Sequence, residues 1–246
     1  MSAPSVSVAT SRVIYDEALR AHDDPAHPCH RFVGLQHNVP PELWQMPTPF
    51  MGSSAAKGLV FMGLNPSYDP NENTPRWGAS FEQWDRYWRD AFESPPSTWP
   101  RLYQWYQRIG QRAFDGSFRL GEDALVLEVI RYRSEKSEGC DDPGVLMHEM
   151  PATLQLLNEV RPIVILCSGS KVLWLMRQML PGLAALLATD YRIKEVEGRA
   201  LQCDAPWGRT AVIGARHLTG GFGWSREGRL SLGDAIRGAV TLGTGS

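Results

Sequence analysis

A chain of 246 residues, 43% of them hydrophobic, can bury one sizeable α/β core but is short for two full domains. A formal net charge of −2 and an isoelectric point near 6.3 exclude the global basic surface of a strong non-specific nucleic-acid binder, so any such contact needs a local patch. There is no run of about 18 apolar residues and no charged-then-apolar N-terminal signal pattern, which predicts a cytoplasmic protein with no membrane partner.

Residues 1–10 are small and polar. Thr10 or Ser11 is placed to cap a helix running to about His22, with Val13, Ile14 and Leu19 partly on one face. Residues 23–56 hold six prolines and few periodic apolar positions. Residues 1–56 therefore read as a loop-rich extension with one helix, packing on a core formed by 57–246. Within it, His27-Pro28-Cys29-His30 has the residue types of a metal half-site, but no matching second half follows in the sequence. Cys29, Cys140, Cys167 and Cys203 form no CxxC pair and read as free thiols in a reducing compartment. With no phosphate-cradling P-loop either, no cofactor and no metal cluster are expected.

The core opens with an apolar run, 59–62, that reads as a buried parallel strand ending in Gly63-Leu64-Asn65-Pro66-Ser67. A polar loop covers 68–79. Ser80 and Gln83 are spaced as a capping box, followed by Phe81, Trp84, Trp88 and Phe92 at helical spacing. A second helix starts after Ser97 or Thr98, with Pro100 in its first turn and Leu102, Trp105, Ile109 and Ala113 along one side. Residues 123–130 form the second strand, and a charged loop, 131–136, leaves it. A helix over 150–160 ends at Arg161-Pro162, and the third strand, 163–167, turns through Gly169 into a helix over 172–179. Residues 190–203 read as a hairpin or edge strand. The fourth strand is 210–214, and a last helix runs over 231–240. Strands alternating with helices predict a three-layer α/β/α sandwich around a central, mostly parallel four-stranded sheet.

Ligands in open α/β sheets bind beyond the carboxyl ends of the strands. Gly63 lets the backbone approach a ligand closely, Pro66 stiffens the turn, and Asn65 is presented at the tip of the first strand. His217 follows the fourth strand, so the two tips can place Asn and His in one crevice. Glu128 interrupts the apolar second strand, where a carboxyl group must be paired, protonated or facing a cleft.

These pieces, over residues 57–240, resemble the uracil-DNA glycosylase superfamily. Gly63-Leu64-Asn65-Pro66-Ser67 is similar to its first motif, the Gly-x-Asn-Pro or Gly-x-Asp-Pro turn after strand one. Residues 154–169 resemble its third-strand unit, and His217 its second motif, usually His-Pro-Ser but here His217-Leu218-Thr219. The resemblance implies base excision from DNA through hydrolysis of the N-glycosidic bond. Asn65 would position the attacking water, and His217 would donate to the base oxygen. Glu128 takes the place of an Asn that reads the base edge, and would read that edge or act as a general base. An ionised Glu only accepts hydrogen bonds, which points to a ring offering N–H donors and away from uracil. Gly63, Leu64, Pro66, Ser67 and Gly169 would line the pocket. Tyr68 would narrow it, and Trp77 or Phe81 would stack on the base. Leu218 with Thr219 would wedge the duplex, while Arg131, Arg133, Lys136 and Arg216 would contact phosphate.

Two further readings stay open: a catalytically silent module of the same fold that binds a nucleobase or nucleic acid, and a hydrolase of free nucleosides or similar small molecules. A monomer is expected in each case.

Overall fold

The computed structural model describes residues 3–34, 36, 40, 43–66, 72–134, 139–219 and 225–243. The chain runs α1 (Val8–Asp23), α2 (His30–Gly34), β1 (Leu59–Gly63), α3 (Phe81–Arg89), α4 (Arg101–Ala113), β2 (Ala124–Glu128) and α5 (Pro143–Val160). It continues through β3 (Val164–Ser168), α6 (Ser170–Met179), α7 (Pro181–Leu186), α8 (Ile193–Val196), β4 (Ala200–Ala205), β5 (Gly208–Ala215) and α9 (Arg226–Gly243).

The sheet has five strands in the order β2-β1-β3-β5-β4, not the expected four. β2, β1, β3 and β5 run parallel, and β4 closes one edge antiparallel to β5. The fifth strand falls in the segment read as a hairpin or edge strand. A turn at 206–207 folds β4 back on β5, and β4 is only partly buried, as an edge strand should be. Every residue of β1, β2 and β3 is buried, because helices cover both faces of the sheet. α4 and α9 pack together on one face, where the Tyr106 ring stacks on Phe61 of β1 at 4.3 Å. α5 and α6 lie on the other, where Leu173 fills the space that a Gly214 side chain would need.

β2 and β3 lie on opposite sides of β1, so the chain reverses its direction of winding between β1 and β3. In open α/β sheets the carboxyl ends of the two strands at such a reversal are the place where ligands bind.

Local chemistry explains most element boundaries. The capping box at Ser80 and Gln83 forms as expected. α1 starts three residues earlier than expected, with Ser7 accepting from the Thr10 N–H, and Val13 faces solvent while Ile14 is buried. α5 begins at Pro143 and not near 150. Asp142 caps it by accepting from Gly144 and Val145, and the helix continues through Pro151. α9 likewise extends beyond the expected 231–240 at both ends.

The residues before β1 join the same hydrophobic core as the sheet, contributing Ile14, Tyr15, Phe32, Met46 and Phe50. Met51 exchanges backbone hydrogen bonds with Val126 at 2.9 and 3.1 Å, which covers the outer edge of β2. Among the described residues no helix is long and apolar enough to cross a membrane.

Candidate active site

One row of residues crosses the carboxyl end of the sheet. Gly63 pairs with Glu128, Ser168 pairs with Ala215, and Gly63 and Ser168 lie one step beyond the Met62–Cys167 pair. Side chains alternate between faces along a strand, so Glu128, Gly63 and Ser168 all face α4. Gly63 has no side chain, and the Glu128 carboxyl lies over it. A Cβ at Gly63 would come within 2.1 Å of Glu128 Oε2. The carboxyl as placed occupies the space that a side chain at position 63 would take.

This carboxyl is only 4% exposed, and its Oε2 has no hydrogen-bond partner among the described residues. The buried hydroxyls of Tyr106 on α4 and Ser168 on β3 share that state. Ser168 lies close enough to Tyr106 to ease ionisation of the phenol, but the two do not meet at hydrogen-bonding geometry. Burial, with the Glu128 charge next, raises the Tyr106 pKa well above its usual value. Three buried polar groups thus lie near one another at the carboxyl ends of β1, β2 and β3, with hydrogen-bonding capacity to spare among the described residues.

Burial raises the Glu128 pKa to about 8, with the Arg133 guanidinium pulling part of the way back. At neutral pH the group is therefore mostly protonated. A neutral carboxyl has one O–H donor and one carbonyl acceptor, the same pair that an Asn or Gln side chain presents. The expectation against uracil rests on an ionised, acceptor-only Glu128, and the neutral form removes that basis.

Asn65 is half-buried two residues beyond β1. Its Nδ2 donates to Ser134 Oγ at 2.8 Å and to the Pro66 carbonyl at 3.3 Å. His217 stands two residues beyond β5, with Nδ1 2.9 Å from Thr219 Oγ1. Its ring is exposed at the surface, yet enough protein surrounds it for desolvation to lower its pKa. β1 and β5 are two strand spacings apart, so their tips are separated by roughly 10 Å. Asn65 and His217 therefore share one edge of the sheet without touching. Gly169 has φ 121° and donates its N–H to the Ala215 carbonyl at 2.7 Å, which ties the turn after β3 to the end of β5. Leu64 is half-buried and Pro66 buried beside it.

Several expected contacts are corrected. Arg131 is 2% exposed and bound to Glu149 through its backbone N–H and guanidinium, at 2.6–3.0 Å. Arg133 is also buried, between Glu72, Thr48 and Gln45. Arg216 is tied to Glu197 through its backbone N–H and Nε. These three cations already face carboxylates of their own chain, so each would have to share or leave that partner to contact a phosphate. Leu218 is fully buried in the core and not an exposed wedge. Phe81 is buried, and the Arg12 guanidinium lies 3.7 Å over its ring, so no face is left for a base. Trp77 is half-buried, with His22 against its ring at 4.7 Å. Ser67, Tyr68 and Lys136 lie outside the described residues.

Tyr106 and Ser168 are the site residues that pattern reading misses. Tyr106 shares the buried face of α4 with Ile109 and Ala113, so its hydroxyl is hidden within an apolar stripe. Ser168 is the first polar residue after the apolar run of β3, the same position that marks Glu128 on β2.

The missing second half of the His27 motif comes from distant parts of the chain. Glu17 Oε1 lies 2.7 Å from His27 Nε2 and 2.7 Å from His148 Nε2. A cavity of about 590 Å³ is lined by Phe92, Trp99, Gln107 and Gly121, near the amino end of β2 and away from Glu128. Compared with known proteins, the chain matches no family model and no curated protein.

Proposed function

We propose that the crevice at the carboxyl end of the sheet binds a nucleobase and that the protein hydrolyses the N-glycosidic bond holding it. It would act as a divergent enzyme with a uracil-DNA glycosylase-like fold. The observation that carries this reading is the Glu128 carboxyl: buried, with one oxygen unpartnered among the described residues, laid over Gly63 at the switch point of the sheet. A neutral Glu128 offers the donor and acceptor that a ring N–H flanked by a carbonyl requires. Asn65 would orient the attacking water, a positioning role that needs no strong base because the transition state is cationic. Desolvation keeps His217 neutral at pH 7, so it would donate to the base oxygen as negative charge collects there.

A second reading, hydrolysis of a free nucleoside, is favoured by the same arginines that weaken the DNA reading. Arg131, Arg133 and Arg216 are held by Glu149, Glu72 and Glu197, and Leu218 is buried. A substrate without a phosphate backbone would need none of them.

The test is base release, followed by chromatography from pH 6 to 9. Oligonucleotides carrying single modified bases are run beside the matching free nucleosides, for wild type, Glu128→Gln, Glu128→Ala and Asn65→Ala. We expect Glu128→Gln to retain activity within about tenfold and to lose the wild-type decline above pH 8, because its amide copies the protonated carboxyl. Asn65→Ala and Glu128→Ala should lose on the order of 100-fold or more. Inactive Glu128→Gln, with wild-type activity rising towards pH 9, would refute the neutral-acid role. No release from any substrate would leave a binding module.

A further inference from the structure

We propose that Glu17 on α1, His27 in the turn after it and His148 on α5 form a binding site for a zinc ion. One oxygen of Glu17 lies 2.7 Å from Nε2 of each imidazole, and the two rings are 4.7 Å apart. All three side chains are largely buried.

The hydrogen bonds around His148 carry the argument. Its Nδ1 lies 3.1 Å from Glu149 Oε1, and Arg131 fixes that carboxylate. A carboxylate only accepts, so the Nδ1 hydrogen belongs to this contact. In a neutral ring Nε2 then has a lone pair, and it faces another carboxylate oxygen at 2.7 Å. Two acceptors hold that distance only with a cation between them, either a proton or a metal ion. A carboxylate orienting a histidine whose other nitrogen faces the ion is the usual support for a ligating imidazole. Two imidazoles and a carboxylate are a zinc ligand set, with the fourth position left to water. A cavity of about 310 Å³ beside Glu17 and His148, bounded also by Arg20 and Gln155, has room for that water.

His27 adjusts when the ion enters. The Cys29 N–H donates to its Nδ1 at 3.0 Å, which places the ring proton on Nε2, pointing at Glu17. Ligation through Nε2 moves that proton to Nδ1 and gives up the Cys29 contact. The proton between His148 and Glu17 leaves to solvent, so binding releases about one proton. Bonds of about 2.0–2.1 Å in a tetrahedron set ligand atoms about 3.4 Å apart, so Glu17 draws back from each imidazole by less than 1 Å.

The experiment is calorimetric titration of zinc into the chelator-treated full chain, in two buffers of different ionisation enthalpy, with thermal melts alongside. The expected result is one ion per chain at micromolar affinity or tighter, release of about one proton, and a melting temperature raised by several degrees at excess zinc. His148→Ala and His27→Gln should each weaken binding at least 100-fold, and a His27→Gln protein with wild-type circular dichroism rules out unfolding as the cause. Glu128→Gln should bind zinc like wild type, which separates this site from the crevice. No zinc binding by wild type would mean that protons alone bridge the cluster, and binding unchanged in both histidine variants would place the ion elsewhere. Either result overturns the proposal.

Discussion

Glu128 shows how one residue's environment sets its chemistry. A carboxyl at the tip of a buried strand faces the cost of losing water, and among the described residues no cation is hydrogen-bonded to its Oε2. Its pKa rises to about 8 from an unfolded value of 4.5, so the folded protein holds the proton more tightly than the unfolded chain. The stabilisation from the neutral form is complete below about pH 4.5 and is lost as pH rises towards 8. Glu128→Gln cannot ionise, so its stability relative to wild type should grow across that window by about 1.4 kcal/mol per pH unit at most, then level off. Urea unfolding at pH 5, 7 and 9 measures this, and a difference independent of pH would show that the carboxyl is already ionised in the folded state. The sequence marked Glu128 as a polar residue in an apolar strand. It did not reveal the protonation state, which depends on Tyr106, Ser168 and Arg133 closing around it.

α5 shows how one element joins distant parts of the chain. Glu149 is fully buried beside Arg131, and burial alone would raise its pKa; the Arg131 charge and hydrogen bonds from His148 and Arg131 lower it to about 2. Thr153 of the same helix donates to the Val129 carbonyl at 3.0 Å, so α5 is fixed to the end of β2 at two points. Arg131→Met would leave Glu149 buried without its cation and should cost roughly 3–5 kcal/mol of stability. Arg131→Met combined with Glu149→Met should recover most of that loss, since two apolar side chains leave no orphaned charge. Urea midpoints of the single and double variants decide, and a double variant no better than the single one would deny that the charges act as a pair. The start of α5 was legible in principle from Asp142-Pro143, an N-cap followed by proline at the first helical position. Pro151 draws the expected start seven residues too far along, because proline is normally favoured at the first turn and disfavoured inside a helix.

For the whole molecule, the residues before β1 are part of the fold. α1 packs Tyr15 against Phe81 and Trp84 of α3, and Met51 covers the edge strand β2. Removing residues 1–23 would expose the faces that Ile14, Tyr15, Ala18 and Ala21 now cover. At about 1.5–3 kcal/mol for each large side chain, the loss should exceed roughly 3 kcal/mol and appear as a lower urea midpoint in one cooperative transition. An unchanged midpoint would mean that α1 unfolds independently of the sheet.

The sequence by itself determined the strand–helix alternation, the buried β1, β2 and β3, the capping box at Ser80 and the glycine turn after β1. Each of these follows from residues a few places apart, through hydrophobic period, turn geometry or capping. Only the tertiary structure decided which polar groups meet. Arg131, Arg133 and Arg216 read as surface cations until folding placed Glu149, Glu72 and Glu197 beside them. Leu218 read as an exposed wedge until the core enclosed it. Tyr106, Ser168 and Glu128 come from α4, β3 and β2, and Glu17, His27 and His148 from α1, its following turn and α5. Burial and pairing depend on contacts between residues far apart in the chain, and local pattern does not encode them.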